Sequence, residues 1–271
     1  MKLVLGLILR KVPLGFLSRL FRALGTQLGF GYGVNHLALE ARTLLSLGNT
    51  NQEAFVVFDI GANVGGYSEA CLSLSGSLTL VAFEPDSSNF QNLNLRLSSY
   101  KSVILVNKAI GNFTGNIELY SDKSGSELAS LTKRKISHTG LDFDFVQDIQ
   151  IITLKDWLKT NSELKPDLIK IDVEGHEMEV LLGFEQHLQD VQAIQFEFGG
   201  CNVDTRTFFR DFWEFFSSSN FSLYRFTPRG IFLIEEYGES LENFNTTVYY
   251  AVNNRFHPLA PKKNVRKVKG F

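Results

Sequence analysis

The chain of 271 residues contains only two cysteines, Cys71 and Cys201, and five histidines. Two cysteines so far apart do not form the dense disulfide framework of a small secreted domain, and no Cys/His spacing typical of a zinc site is present. We therefore expect a protein of a reducing compartment, with the cytoplasm as the default. The length is sufficient for one large domain with a full hydrophobic core and short additions.

The sequence also lacks apolar runs long enough for a transmembrane helix, which needs ~20 residues. The first apolar run stops at Arg10 and Lys11, well short of that length. It matches a signal peptide poorly, because no small-residue cleavage site follows it cleanly. Beyond Pro13, apolar residues recur at helical spacing with Arg19 and Arg22 between them. The interpretation stays open: residues 1–24 form an interfacial helix on an anionic membrane, or they form a helix that packs on the domain or is a lid over its pocket.

Acidic residues are absent from both ends of the chain. Residues 1–39 and 255–271 hold eleven of the 27 basic residues and none of the 29 acidic ones. The region between them, 40–254, therefore contains 16 basic and 29 acidic residues. An acidic central region disfavours nucleic-acid binding. We predict a basic amphipathic helical region at 1–50, one domain at 51–254 and a basic tail at 255–271, typical of a solvated end.

From about residue 54 the sequence alternates strand and helix patterns. Apolar runs predict buried strands, and helical spacing predicts helices between them. Residues 123–148 break this alternation and are predicted as a long polar loop, functional or disordered. The alternation indicates an α/β fold with a parallel sheet and helices on both faces. The predicted strands are 56–60, 78–83, 103–110, 116–121, 151–154, 168–173, 193–198, 222–226, 231–234 and 248–252; the helices are 67–74, 87–97, 156–159, 177–184 and the aromatic-rich 205–216.

A glycine-rich segment ends the first of these strands, where open parallel sheets bind their ligands. Residues 59–65 read Asp-Ile-Gly-Ala-Asn-Val-Gly. Gly61 permits a sharp turn, and Gly65 opens the next helix, whose free N–H groups can meet a negative group. Asn63 stands where the dinucleotide motif Gly-x-Gly-x-x-Gly has glycine, which weakens the case for a nicotinamide cofactor. Asp59 is placed to organise the loop or to accept from an ammonium, a group that S-adenosylmethionine carries.

A carboxylate ends the second strand. Glu84 lies 23 positions after Gly61, near the ~20 expected for an acid that binds a ribose. A carboxylate suits this role because it accepts two hydrogen bonds at once. The glycine turn and Glu84 together predict a ribose-bearing cofactor, and the glycine spacing favours S-adenosylmethionine. At the end of the third strand, the segment 107–111 would place Ala109 beside the adenine.

Acidic residues and a histidine crowd the end of strand 168–173. They are Asp172, Glu174, His176 and Glu177. Mutual repulsion is expected to raise the pKa of at least one of these carboxyl groups, and Lys170 is the expected ion-pair partner. Asp172, Glu174 and His176 also offer the donor atoms of a metal site, but three donors from one segment would need further ligands. No metal ligand is therefore predicted, and metal dependence stays open.

Taken together, these segments resemble the FkbM family of S-adenosylmethionine-dependent methyltransferases. The resemblance covers about residues 54–200 and rests on segments 58–65, 83–85, 107–111 and 169–177, the last being the most family-specific. It implies a class I methyltransferase fold, Rossmann-like, with a seven-stranded, mostly parallel sheet whose last strand is antiparallel. It also implies O-methylation of a hydroxyl acceptor, such as a sugar of a glycan or glycolipid, or a natural product. The segment 125–131 is a candidate for the family's variable substrate loop.

A sugar hydroxyl is a weak nucleophile, so a base should take its proton as the new bond forms. His176 is the first candidate because its ordinary pKa is near neutral, and Asp172 and Glu174 follow. Glu197, on the next strand, is expected to complete the pocket. Residues 123–148 and the helix at 205–216 are expected to shape the acceptor site. The expected cofactor contacts are Asp59, Gly61, Asn63, Gly65, Glu84, Ala109 and Asp172.

Two other functions are compatible with the sequence. The chain could keep this fold as a non-catalytic binding module, although intact Asp59, Gly61, Gly65 and Glu84 argue against it. A nicotinamide oxidoreductase is the third hypothesis, and the glycine spacing counts against it. The sequence predicts no nucleic-acid partner and leaves the oligomeric state open.

Overall fold

The computed structural model of the chain describes residues 12–32, 36–48 and 55–257. The first eleven residues, the predicted start of the domain at 51–54 and the tail beyond residue 257 therefore lie outside the described residues. The helices are α1 (Leu14–Gln27), α2 (Leu37–Ser46), α3 (Gly66–Leu74), α4 (Ser87–Leu97), α5 (Leu154–Thr160), α6 (Glu177–Leu182), α7 (Cys201–Thr205) and α8 (Phe209–Ser218).

The strands form two sheets. The larger has the order β10-β9-β11-β8-β7-β1-β2-β3, and the smaller has the order β4-β6-β5. Their bounds are β1 (Phe55–Ile60), β2 (Leu78–Phe83), β3 (Val103–Val106), β4 (Ala109–Gly111), β5 (Gly115–Ser121), β6 (Phe145–Thr153), β7 (Leu168–Ile171), β8 (Ala193–Phe198), β9 (Phe221–Thr227), β10 (Gly230–Leu233) and β11 (Thr247–Asn253).

Strands β3, β2, β1, β7 and β8 are parallel neighbours, and β11 lies antiparallel between β8 and β9. This arrangement is the predicted mostly parallel sheet with its last strand antiparallel. Strand β10 extends it at the edge as the second strand of a hairpin with β9. The chain runs outward from β1 to β3 and returns to β7 on the other side of β1. The strand order therefore reverses between β1 and β7, where such sheets bind ligands.

Both faces of the larger sheet are covered by apolar side chains. Neighbouring residues of β1 serve opposite faces, as strand geometry requires: Val57 joins the cluster that includes Ala41 and Leu44 of α2, and Phe58 joins the cluster that includes Trp157 of α5. All five of these side chains are buried. The sheet is thus held between helices on both sides, as the alternating pattern predicts.

The predicted aromatic helix at 205–216 is two helices. Arg206 adopts a left-handed conformation (φ 59°) that ends α7, and Asp211 Oδ2 accepts from the backbone N–H of Phe208 at 2.7 Å where α8 begins. Three aromatic side chains of α8 are fully buried and pack on β8 and β11, with ring centroids 4.9 Å apart for Phe196 and Phe212. They are Phe209, Phe212 and Phe216, and their place is in the core.

Two strand predictions need correction. The single strand predicted at 103–110 is β3 and β4, which belong to different sheets. The break is fixed by Asn107, whose Nδ2 donates to the carbonyl oxygens of Glu84 (2.8 Å) and Pro85 (3.1 Å). The predicted loop ends earlier than expected, because β6 already begins at Phe145. In the first four residues of β6 only Gln147 is half-buried and the others are exposed, so this part lacks the alternation of apolar residues that would indicate a strand.

Candidate active site

A cleft opens at the carboxyl ends of β1, β2 and β7. It encloses about 660 Å³ of space, including open solvent at its mouth. One side is formed by the ends of the three parallel strands, and the other by the smaller sheet and the loop that follows β5. The strand ends contribute Ile60, Gly61, Asn63, Phe83, Glu84, Pro85, Asp172, Val173 and Glu174, and the other side contributes Lys108, Ala109, Ile110, Leu119, Ser126, Glu127, Ala129, Ser130 and Leu131.

The glycine loop after β1 is packed so tightly that glycine is required. Gly61 has φ +80°, and a Cβ built there would lie 1.9 Å from the carbonyl oxygen of Asp172. Gly65 has φ +85°, and its Cβ would lie 2.7 Å from Leu93 Cδ1. The loop also bonds to the end of β2, where Phe83 O accepts from Gly61 N at 3.0 Å. The loop therefore contacts both neighbouring strand ends.

Glu84 is joined to this loop by its carboxylate. Its Oε2 accepts from Asn63 N and its Oε1 from Asp86 N, both at 2.8 Å. The side chain lines the cleft but is only 6% exposed, and this burial raises its pKa to about 7 despite the two backbone donors. Each oxygen keeps a further lone pair for a ligand. Ala109, the predicted neighbour of the adenine, lines the same cleft.

Asp59 lies beneath the loop and does not line the cleft. It is fully buried, accepts from Ser68 Oγ at 2.6 Å and lies 3.2 Å from Lys170 Nζ. Lys170 also donates to Gly61 O at 2.7 Å and lies 3.4 Å from Asp172 Oδ2. Burial alone would lower the pKa of Lys170, but the two carboxylates hold it above its usual value. Of the two roles open to Asp59, these contacts fit the organisation of the loop.

The carboxylates after β7 have separate environments. Asp172 lines the cleft, and its side chain is 34% exposed. Glu174 accepts from Arg134 Nη1 at 2.8 Å and from Cys201 Sγ at 3.1 Å, and burial next to Asp172 raises its pKa to about 7. Glu177 Oε1 accepts from two backbone N–H groups of the same turn, Val173 and Gly175, at 3.1 Å each. Glu177 thus shapes the turn, and the other two face the cleft.

His176, the first candidate for a base, does not line the cleft. Its Nε2 lies 2.9 Å from Thr132 Oγ1, and its Nδ1 lies 3.7 Å from Glu179 Oε2. Burial lowers its pKa and the nearby Glu179 acts in the opposite direction. The imidazole therefore connects the turn after β7 to the loop after β5.

Glu197, near the end of β8, lies beside this turn. The register pairs Ile171 of β7 with Phe196 of β8, so Asp172 and Glu197 are the next residues on neighbouring strands. Burial, followed by repulsion from Asp172 and Glu174, raises the pKa of Glu197 well above its usual value.

The loop after β5 supplies contacts that the sequence did not predict. Ser130 pairs with Tyr120 through two backbone hydrogen bonds of 2.9 Å, and its Oγ donates to Glu174 O at 2.8 Å. Arg134 extends the contact through its ion pair with Glu174. Both residues come from a polar stretch without periodicity, which gives no signal of their partners. The candidate substrate loop at 125–131 therefore forms a wall of the cleft beside the turn after β7.

The described residues leave acceptor atoms free for a ligand that donates hydrogen bonds, such as the ribose hydroxyls of a nucleoside or an ammonium group. The buried Asn63 Oδ1 has no hydrogen-bond partner, and the neighbouring Glu84 oxygens retain free lone pairs. In contrast, no group of three or more His, Cys, Asp or Glu within the described ranges is arranged to hold a metal ion. Glu174 and His176 instead bond to Arg134 and Thr132.

Comparison with known proteins finds a relative that matches part of the chain. The hexuronic acid methyltransferase AglP of Haloferax volcanii is 29% identical to the chain over 144 residues, which are 53% of this chain and 55% of that protein. The chain therefore matches about half the length of this relative.

Solved structures with a similar course of the chain include two methyltransferases. Precorrin-6y C5,15-methyltransferase of Geobacter metallireducens is 14% identical, with a TM-score of 0.43 and coverage of 80% of this chain and 87% of that one. Magnesium protoporphyrin IX methyltransferase of Synechocystis, with bound S-adenosylmethionine, is 12% identical, with a TM-score of 0.42 and coverage of 87% and 96%.

The family described as methyltransferase FkbM domain matches residues 59–223, which is more than half of the chain. This match contains the glycine loop, Glu84, Ala109 and the turn after β7, the same segments that form the cleft. The chain belongs to the FkbM family of S-adenosylmethionine-dependent methyltransferases.

Proposed function

We propose that this methyltransferase acts on a hydroxyl group of a sugar, in a glycan or glycolipid, or of a natural product. The observation that carries the proposal is the cleft, in which Asp172 and Glu174 lie beside the glycine loop and Glu84. About half of the hexuronic acid methyltransferase AglP matches this chain, and the name of that relative supports the proposal of a sugar acceptor.

The cofactor half of the cleft consists of the glycine loop, Glu84 and Ala109. Glu84 is positioned to accept the ribose hydroxyls, Ala109 to border the adenine, and Asn63 to offer its unpaired Oδ1. Lys170 beneath the loop fixes its shape by joining Gly61 O to Asp59. When bound, S-adenosylmethionine supplies a methyl group on a sulfonium, which is already a good leaving group. The residues therefore have to hold two reactants in line more than activate the donor.

The acceptor half needs a group that takes the hydroxyl proton. Asp172 is the proposed proton acceptor, because its carboxylate lines the cleft and remains partly exposed. Glu174 lines the cleft as well, but Arg134 and Cys201 occupy one of its oxygens, so it orients the acceptor side. His176 acts indirectly in this proposal and holds Thr132 of the adjoining loop.

Methyl transfer from labelled S-adenosylmethionine to fractionated glycans and lipids tests the proposed function. The measurement compares wild type with Asp172→Asn, each with and without chelator. We expect label in a sugar-containing fraction with wild type only, and the label should resist mild alkali because a methyl ether is stable there. Label released by alkali would indicate a carboxyl ester and would contradict a hydroxyl acceptor.

Cofactor binding separates an enzyme from a non-catalytic binding module. A ligand present at 100 times its Kd stabilises the folded state by about 2.7 kcal/mol. We therefore expect S-adenosylmethionine to raise the melting temperature by several degrees, whereas NADH should leave it unchanged. Absence of any shift at saturating S-adenosylmethionine would favour the binding module.

A further inference from the structure

Helix α1 exposes a broad apolar surface. None of its residues is buried. At about 100° per residue, Leu14, Leu17, Phe21 and Leu24 fall within one arc of about 80°, and Leu20 and Phe16 widen it. Arg19 and Arg22 project on the other side of the helix. The exposed large apolar side chains are Leu14 (81%), Phe21 (74%), Phe16 (58%), Leu24 (55%) and Leu20 (41%).

The segment after α1 is anchored to the domain. A Cβ at Gly29 would lie 2.2 Å from Phe226 O, so this backbone is in close contact with β9. The guanidinium of Arg225 lies 4.1 Å from the ring centroid of Phe30, and Gly31 N donates to Thr247 Oγ1 at 3.1 Å. The helix therefore has a fixed base while its apolar surface faces solvent.

This base lies at the same edge of the sheet as the cleft. Thr247 begins β11 and pairs with Phe198, the last residue of the parallel strand β8. Phe226 is near the end of β9, which runs in the same direction as β8. A surface that binds α1 would thus approach the edge at which the cleft opens.

The charge of the helix selects among possible occupants of its apolar surface. Residues 12–32 contain Arg19 and Arg22 and no acidic residue, and the preceding segment adds Arg10 and Lys11. A second copy of the helix would bring like charges together, whereas an anionic surface would pair with them. The lid interpretation lacks support, because none of the cleft-lining residues comes from α1 within the described part of the chain.

We propose that α1 docks the protein on an anionic lipid surface, with its apolar residues inserted among the lipids and its arginines at the headgroups. Helices of this kind lie in the membrane interface, and their binding strength depends on both the buried apolar area and the anionic charge. The docking is peripheral: no helix among the described residues has the length and apolar character needed to cross a bilayer.

Vesicle flotation of the full chain tests the proposal. The probes are phosphatidylcholine vesicles and phosphatidylcholine vesicles with about one third phosphatidylglycerol, at low and high salt. We expect binding to the anionic vesicles, weakened by high salt because screening removes the attraction between charges. No binding to anionic vesicles at low salt, or equal binding to both vesicle types, would overturn the proposal.

Variants separate the apolar and basic contributions. Phe21→Asp with Leu24→Asp should lower partitioning at least tenfold, and Arg19→Gln with Arg22→Gln should lower it about thirtyfold, roughly fivefold per charge. Leu95→Asp is the matched control, because Leu95 is 73% exposed on α4, and it should bind like wild type. Melting temperatures confirm that each variant is folded. Self-association that depends on Phe21 and Leu24, without vesicle binding, would assign this surface to a second copy and contradict the proposal.

Discussion

At the scale of single residues, Glu84 accepts from the backbone N–H groups of Asn63 and Asp86. In the proposed cofactor site the same carboxylate would also accept from the ribose hydroxyls. Its burial raises the pKa to about 7 in the unliganded protein. Ligand hydroxyls need the ionised form, so protonation of Glu84 competes with cofactor binding.

Affinity for S-adenosylmethionine should therefore fall as the pH drops below 7. We expect a loss approaching tenfold per pH unit in calorimetric titrations between pH 8 and pH 5.5, since one proton must be released for binding. Glu84→Gln should weaken binding at pH 8 by about ten- to a hundredfold and abolish this dependence, because a hydrogen bond to a charged group contributes about 1.5–3 kcal/mol. Glu163→Gln, at an exposed site, is the control and should match wild type.

A second prediction at the scale of single residues concerns the turn after β7. Asp172→Asn should lower kcat by about 10²- to 10⁴-fold, the usual contribution of a general base. His176→Asn should lower kcat less than tenfold, because His176 bonds to Thr132 and does not line the cleft. Both are measured with labelled cofactor on the acceptor that wild type methylates. The opposite order of the two effects would return His176 to the role of the base.

At the scale of elements, the glycine loop and the turn after β7 are in direct contact. Gly61→Ala should remove cofactor binding and lower the free energy of unfolding by roughly 2–4 kcal/mol, because the alanine is strained at positive φ and its Cβ meets Asp172 O. Gly76→Ala, where a Cβ meets nothing within 4 Å, should change stability by no more than about 0.5 kcal/mol. Urea unfolding and calorimetric titration measure both effects. Normal cofactor binding by the Gly61 variant would contradict the tight packing of the loop.

The sequence predicts the elements around this loop well, because their signals are local. Strand β2 and helix α4 have the predicted bounds, and β1 differs by one residue. Continuous apolar runs and helical spacing are visible without knowledge of the fold. In the structure Asp86 also caps α4, accepting from Ser88 N and Asn89 N at 2.9 and 2.8 Å.

Other elements depend on contacts that are distant in sequence. The apolar residues at 103–106 resume at 109–110 after only two polar residues, and the break between β3 and β4 is set by the contact of Asn107 with the end of β2. The helical pattern at 205–216 likewise continues through Arg206, whose left-handed backbone divides α7 from α8. Neither interruption has a local signal such as proline, so the sequence predicts one element in each place.

At the scale of the whole molecule, the sequence predicts some residues of the candidate site and misses others. Glycines and carboxylates at strand ends predict Gly61, Glu84 and Asp172, because parallel strands bring their ends together. Arg134 and Ser130 reach the site from the loop after β5, and no periodicity predicts where that loop docks.

Several buried carboxyl groups give the protein a common response to pH. Burial raises the pKa of Glu40, Glu84, Glu174 and Glu177 to about 7 each. Between about pH 4.5 and 7 the folded state binds more protons than the unfolded chain at these sites, so stability falls as the pH rises. We expect urea unfolding to give a free energy at least about 1 kcal/mol higher at pH 6 than at pH 8. A higher stability at pH 8 would contradict these shifts.

The central position of β1 has a consequence for the order of folding. Strand β1 pairs with β2, which follows it closely in the sequence. It also pairs with β7, in which Lys170 lies opposite Asp59 although more than a hundred residues separate the two. Closing so long a stretch of chain is slow, because the chain loses the conformational entropy of closure before the contact between the strands stabilises it. The floor of the cofactor cleft is completed only by this late pairing. During synthesis, the chain can therefore acquire its cofactor only after β7 has emerged from the ribosome and joined the sheet.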